Sequence, residues 1–256
     1  MNKNYDCYLS EIYSAIQGEG PLVGHRQIFV RFSACDLRCA WCDTPKSLVR
    51  TQFCEAEINT GTRKYQKSEN PITSLKLIEL VDNLNPEYHQ SISLTGGEPL
   101  LQWQFIASFL PLLKEKFSLP VYLESGGHRP SELKNVINSL DYISMDFKLP
   151  SSAKTEELWD EHIKFLKISL NANKKVWVKI VITFDTDFNE LVKSVNIVKS
   201  LSLNDKNVEI FLQPVSPMNG LLPPDELNLL SIQSSLLKIY PYIRVLPQVH
   251  KLIGQK

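Results

Sequence analysis

The sequence predicts an α/β fold of parallel strands joined by helical crossovers. Three observations lead there: short runs rich in β-branched and aromatic residues recur along the chain, segments with helical apolar spacing lie between them, and polar or glycine-containing motifs follow the strands. Parallel strands with right-handed crossovers form either an open sheet or a barrel, and about six such units make a partial barrel. In both, function gathers at the C-terminal strand ends.

The elements follow in order. A first strand is expected over Gln27 to Ser33, with Cys35 just beyond it. Residues 51–73 break the rhythm with a strongly polar centre that fits neither period, and are read as an inserted loop. Leu77, Leu80, Val81 and Leu84 mark a helix, and the strand Ser91 to Thr95 runs into Gly96-Gly97-Glu98-Pro99. Phe105, Ile106, Phe109 and Leu113 mark the next helix, before a strand over Pro120 to Glu124 and then Ser125-Gly126-Gly127. Tyr142 to Asp146 is a strand followed by Lys148, and Val176 to Thr183 another. Leu191, Val192, Val195 and Val198 form a helical stripe before strands at Glu209 to Gln213 and Tyr242 to Leu246. One domain over 1–256 is expected.

Twenty-eight basic residues balance twenty-eight acidic ones, so no long-range field draws the chain to nucleic acid or an anionic membrane, and a small-molecule substrate is expected. Met1 to Asp6 lead into mixed residues without the apolar run of a signal peptide, and no stretch approaches the roughly 18 apolar residues of a membrane span. The expected location is the cytoplasm. Three of the five cysteines crowd into eight positions, which suits ligand chemistry in a reducing compartment better than disulfides. Cys7 and Cys54 stand apart and are read as idle, buried thiols.

Cys35-Asp-Leu-Arg-Cys39-Ala-Trp-Cys42 can wrap one loop around an inorganic centre. Structural zinc needs a fourth protein ligand; no second paired motif follows, although His128 or Cys54 could serve. A 4Fe-4S cluster with one iron left open needs only three cysteines, and unligated thiols remain a third reading.

The C-x-x-x-C-x-x-C spacing resembles that of radical S-adenosylmethionine enzymes, and Gly96-Gly97-Glu98-Pro99 resembles their second-strand motif. Ala15-Ile16-Gln17-Gly18-Glu19-Gly20, Phe29-Val30-Arg31-Phe32-Ser33 and Trp41-Cys42-Asp43-Thr44 are similar, more narrowly, to the 7-carboxy-7-deazaguanine synthase family. The likeness continues through Glu124-Ser125-Gly126-Gly127, Asp146-Phe147-Lys148-Leu149-Pro150, Gln213-Pro214 and His250-Lys251. It implies a partial (β/α)6 barrel modified with few or short helices.

The resemblance assigns the cluster to Cys35, Cys39 and Cys42, and S-adenosylmethionine to Trp41, Cys42, Asp43, Gly97, Glu98, Ser125, Lys148 and Gln213. Ile16, Gln17, Gly18, Arg31 and Thr95 would hold the substrate, Arg31 by its carboxylate. Thr44 would hold Mg2+, and His250 is a further substrate-side candidate. No side chain is expected to act beyond positioning cofactor and substrate. The implied reaction contracts 6-carboxy-5,6,7,8-tetrahydropterin to 7-carboxy-7-deazaguanine with loss of ammonia, in queuosine biosynthesis; a homodimer and a flavodoxin-type electron donor are implied with it. Two rivals stand beside it: an activase that installs a glycyl radical on a protein, and a non-catalytic zinc or iron-sulfur binding module.

Overall fold

In a computed structural model, residues 5–202 and 207–256 are described. Ten strands form one sheet: β1 (Leu9–Ile16), β2 (Arg26–Phe32), β3 (Phe53–Glu57), β4 (Tyr65–Glu69), β5 (Ser91–Gly96), β6 (Val121–Ser125), β7 (Tyr142–Asp146), β8 (Lys175–Ile182), β9 (Ile210–Pro214) and β10 (Ile243–Val245). Their order is β10-β9-β8-β7-β6-β5-β2-β1-β3-β4, so the sheet is not closed and β10 and β4 are its edges. From β2 through β5 to β10 every pairing is parallel. β1 runs antiparallel to β2 and parallel to β3, while β4 runs antiparallel to β3.

The crossovers carry α1 (Ser74–Asp82), α2 (Trp103–Lys116), α3 (Pro130–Val136), α4 (Pro150–Ala153), α5 (Trp159–Asn171), α6 (Phe188–Leu201) and α7 (Glu226–Leu237), with α8 (Val249–Leu252) closing the chain. α1 and α3 are short, at 9 and 7 residues, whereas α2, α5, α6 and α7 run 12 to 14, longer than expected. Thr73, Asp187 and Asp225 cap α1, α6 and α7 through their side chains, each worth about 1 kcal/mol. No described helix is long and apolar enough to cross a membrane.

Two expectations need correction. Residues 51–73 are not a loop: they contain β3 and β4, a hairpin whose β3 pairs with β1. The signal was weak because β4, Tyr-Gln-Lys-Ser-Glu, is a polar edge strand with little to bury. β1 lies where no strand was expected, since Ser10, Glu11 and Ser14 interrupt its apolar run.

The strands sort their residues by the period of two. Ile92 and Leu94, Val121 and Leu123, Ile143 and Met145, Val178 and Ile180, and Ile210 and Leu212 join the helices in the main apolar core. The alternate positions Thr95, Glu124, Ser144, Asp146 and Lys179 line a cavity on the other face. There Tyr122, Trp177 and Phe211 pack with Leu22 at the end where these strands begin. Gly20 crosses Trp177 so closely that a Cβ would sit 2.6 Å from Nε1, and its φ of +62° suits only glycine well.

Candidate active site

The cavity measures about 950 Å³ and runs from the β1–β2 connection to the cysteine loop. Its lining includes Ile16, Gln17, Gly18, Arg31, Cys35, Cys39, Trp41, Cys42, Asp43, Thr44, Thr95, Gly97, Glu98, Ser125, Lys148 and His250. Sixteen dispersed sequence candidates therefore share one space. Gln213 does not line it; its Nε2 instead donates to Glu19 Oε1 at 3.1 Å, and Glu19 does.

The cysteine loop leaves β2 and is pinned by backbone bonds: Gly97 N donates to Phe32 O and Glu98 N to Ala34 O, both at 2.9 Å. Approach is so close that a Cβ on Gly97 would lie 2.1 Å from Ala34 O, which accounts for glycine there. Cys35, Cys39 and Cys42 are free and half-buried. Burial pushes the Cys35 thiol up to about 11 and raises that of Cys39. Thiols so placed become thiolates readily only beside a cation, as a metal centre supplies.

The donor set fits a cluster better than zinc. His128 Nε2 is engaged with Asp36 Oδ1 at 2.9 Å, and Cys54 is fully buried in β3 away from the cavity lining. Three cysteines around a larger inorganic centre, with a further coordination position open, remain compatible with this loop.

Beyond the loop, Glu98 is the hub of the rim. Its carboxylate accepts from Ser125 Oγ at 3.0 and 3.1 Å, Gly126 N at 2.9 Å and Leu100 N at 3.1 Å. Lys148 lies over the Trp41 ring at 4.1 Å and pairs with Asp146 at 2.8 Å. Lys179 sits between Asp146, at 3.4 Å, and Glu19, at 2.6 Å. Burial favours neutral forms in this chain of charges, but the opposite charges win: Asp146 and Glu19 are lowered and Lys148 and Lys179 raised. Two buried atoms in this region, Trp41 Nε1 and Asp146 Oδ1, have no hydrogen-bond partner and suit a polar ligand.

Deeper in, Gln17 Nε2 donates to Glu124 Oε1 at 2.9 Å, joined by Ser93 Oγ at 3.1 Å, while Thr95 Oγ1 donates to Oε2 at 3.0 Å. Burial, with Glu19 nearby, raises the Glu124 carboxyl. Arg31 meets Glu11 at 3.0 Å and donates from Nη2 to Tyr13 Oη; burial raises that phenol to about 12 against the pull of Arg31. The chain end folds over this side: Val249 N donates to Gly18 O at 3.0 Å, and Lys251 pairs with Asp43 at 2.9 Å. Burial would raise Asp43, but Lys251 and Gln248 bring it down to about 2.

Glu11, Glu19, Glu124, Asp146 and Lys179 were not among the sequence candidates. A signal existed for Lys179, a single charge inside the apolar run Val176 to Ile182.

The sequence profile of the radical SAM superfamily matches residues 29–211. A 7-carboxy-7-deazaguanine synthase of Geobacter sulfurreducens is 36% identical over 96% of this chain and 97% of its own length. That of Thermococcus kodakarensis is 31% identical over 82% and 84%. In fold, the crystal structure of QueE from Escherichia coli superposes with a TM-score of 0.61, at 18% identity over 96% of this chain and 95% of its own.

Proposed function

The chain belongs to the radical SAM superfamily and, within it, to the 7-carboxy-7-deazaguanine synthase family, and from that premise we propose how its own residues divide the work. The reaction is ring contraction of 6-carboxy-5,6,7,8-tetrahydropterin to 7-carboxy-7-deazaguanine with loss of ammonia, using a 4Fe-4S cluster and S-adenosylmethionine. Family membership sets aside the glycyl-radical activase and the binding module. Bound in the cavity, cluster and cofactor supply the one-electron chemistry that takes a hydrogen atom from a substrate carbon.

Cys35, Cys39 and Cys42 hold the cluster. Trp41, Asp43, Gly97, Glu98, Ser125 and Lys148 shape the cofactor half, with Gln213 acting through Glu19. Ile16, Gln17, Gly18 and Thr95 face the pterin, whose edge of donors and acceptors matches an amide, a hydroxyl and open backbone. Arg31 takes the substrate carboxylate, and His250 closes the same end. Their common task is to hold one carbon still and dry, because with the hard chemistry carried by the cofactor the protein supplies binding, orientation and exclusion of water.

Thr44, beside Cys42 in the lining, is assigned to Mg2+, with substrate and water completing an oxygen shell. The proposal includes a flavodoxin-type electron donor and a homodimer, the latter supported by exposed Leu227 and Leu230 on α7. Five free cysteines support a reducing, cytoplasmic setting.

The observation that carries this reading is that one cavity joins three free cysteines to a Gln17–Glu124–Thr95 polar set. The test is an anaerobic assay of the reconstituted protein with S-adenosylmethionine, reductant, Mg2+ and the carboxytetrahydropterin. Mass spectrometry should find 7-carboxy-7-deazaguanine; cleavage to 5'-deoxyadenosine without it would reject the substrate.

A further inference from the structure

Asp36 follows the first cysteine, and both oxygens of its carboxylate are occupied from another crossover. His128 Nε2 lies 2.9 Å from Oδ1, and Arg129 Nη2 donates to Oδ2 at 2.7 Å. Both partners come just after the Ser125-Gly126-Gly127 turn. Arg129 is itself oriented, with Nη1 on Glu132 Oε1 at 2.9 Å.

His128 packs beside Glu98, its buried Nδ1 3.8 Å from Oε2 and without a hydrogen bond, while the loop reaches Glu98 directly through Glu98 N to Ala34 O at 2.9 Å. Glu98 in turn holds Ser125 Oγ and Gly126 N. One network thus ties together the cysteine loop, the Gly-Gly-Glu-Pro turn and the Ser-Gly-Gly turn, which leave three different strands. The fold does not need it, because β2, β5 and β6 are already in register through their own ladders. The loop's other anchors are backbone bonds at its two ends, such as Glu98 N to Ala34 O at 2.9 Å, Cys35 N to Leu48 O at 3.3 Å and Ala40 N to Ala153 O at 2.8 Å, and the Lys251 pair with Asp43 beyond the last cysteine.

We propose that Asp36, His128 and Arg129 are positioning residues that clamp the cysteine loop to the two cofactor-facing turns and so keep the cluster in line with S-adenosylmethionine. This rests on Cys35, Cys39 and Cys42 being the cluster ligands. A bidentate, charge-assisted grip fixes both the distance and the angle of the loop, which a single backbone bond does not.

The test uses reconstituted enzyme carrying Asp36→Asn, Arg129→Ala or both. Three readouts are taken: the half-life of the cluster's visible absorbance under a chelator, the S-adenosylmethionine concentration needed to change the reduced cluster's electron paramagnetic resonance spectrum, and the thermal midpoint. Each single variant should shorten the half-life and raise the required concentration by roughly tenfold, as expected for losing a hydrogen bond between charged groups. The double variant should be no worse than the poorer single one, because both break one clamp, and Arg129→Lys should recover part of the loss.

Wild-type values in both single variants, or losses that multiply in the double, would overturn the clamp. Asp36→Asn keeps shape at a side chain 36% exposed, so it decides the matter alone if Arg129→Ala fails to fold. A wild-type protein that takes up no cluster overturns the ligand reading and the clamp with it, and is seen before any variant is made.

Discussion

Arg31 lies against Glu11 and Tyr13 with its side chain 12% exposed, so its guanidinium meets a ligand in a site with little competing water. Replacing it with Ala should weaken binding of the carboxytetrahydropterin by roughly tenfold to a hundredfold, the range for a lost charged hydrogen bond. Equilibrium binding should show S-adenosylmethionine unaffected; unchanged substrate affinity would remove Arg31 from the site. Glu124 poses the opposite problem, a carboxyl raised by burial. Between its unfolded and folded pKa values the native state binds more protons than the unfolded chain, so this group's contribution to stability is lost as pH rises through that interval. Glu124→Gln, neutral throughout, should therefore gain stability relative to wild type as pH rises, which paired denaturant titrations at about pH 5 and pH 8, the bounds within which stability is usually greatest, would show. A gain that does not grow with pH would place the charge penalty elsewhere.

Among the elements, the chain end packs against Gly18 and is also held by Gln248 and Lys251 on Asp43. A Cβ on Gly18 would fall 2.2 Å from His250 Nδ1 and 2.4 Å from His250 N, so Gly18→Ala should push α8 away from the cavity. Amide exchange at Val249, whose N–H is held by Gly18 O, should quicken about fivefold, the worth of one ordinary hydrogen bond; unchanged exchange would mean the tail docks by other contacts. The same scale explains what the sequence disclosed. β5 to β9 were legible because each buries one face against helices and fills the other with a mixed lining, leaving dense β-branched runs. β1 and the β3–β4 hairpin were not, since β1 alternates serines into its run and β4 is a solvated edge. Of the site, the cysteines and glycines were readable because their constraints are local: a spacing, a close approach at Gly97. Lys179 left one local trace, a lone charge in an apolar run, but the meeting of Glu124 with Gln17 and of Lys179 with Glu19 joins segments far apart in the chain, and no local pattern encodes that.

For the molecule as a whole, the central question is whether the inorganic centre organises the fold or is organised by it. The main apolar core joins the sheet to its helices and contains none of Cys35, Cys39 and Cys42. Fully buried Phe105 and Phe109 stack at 5.2 Å within it, and burying each such side chain contributes roughly 1.5–3 kcal/mol that no metal supplies. Small metal-stapled modules behave otherwise, because metal binding there is itself the folding free energy. Anaerobic removal of the cluster by a chelator should accordingly leave far-ultraviolet circular dichroism and a cooperative thermal transition in place. Faster amide exchange should be confined to the cysteine loop, the 126–129 turn clamped to it by Asp36, and α4, whose Ala153 O receives Ala40 N. Loss of the whole transition on chelation would instead mean that the sheet cannot stand without its cluster.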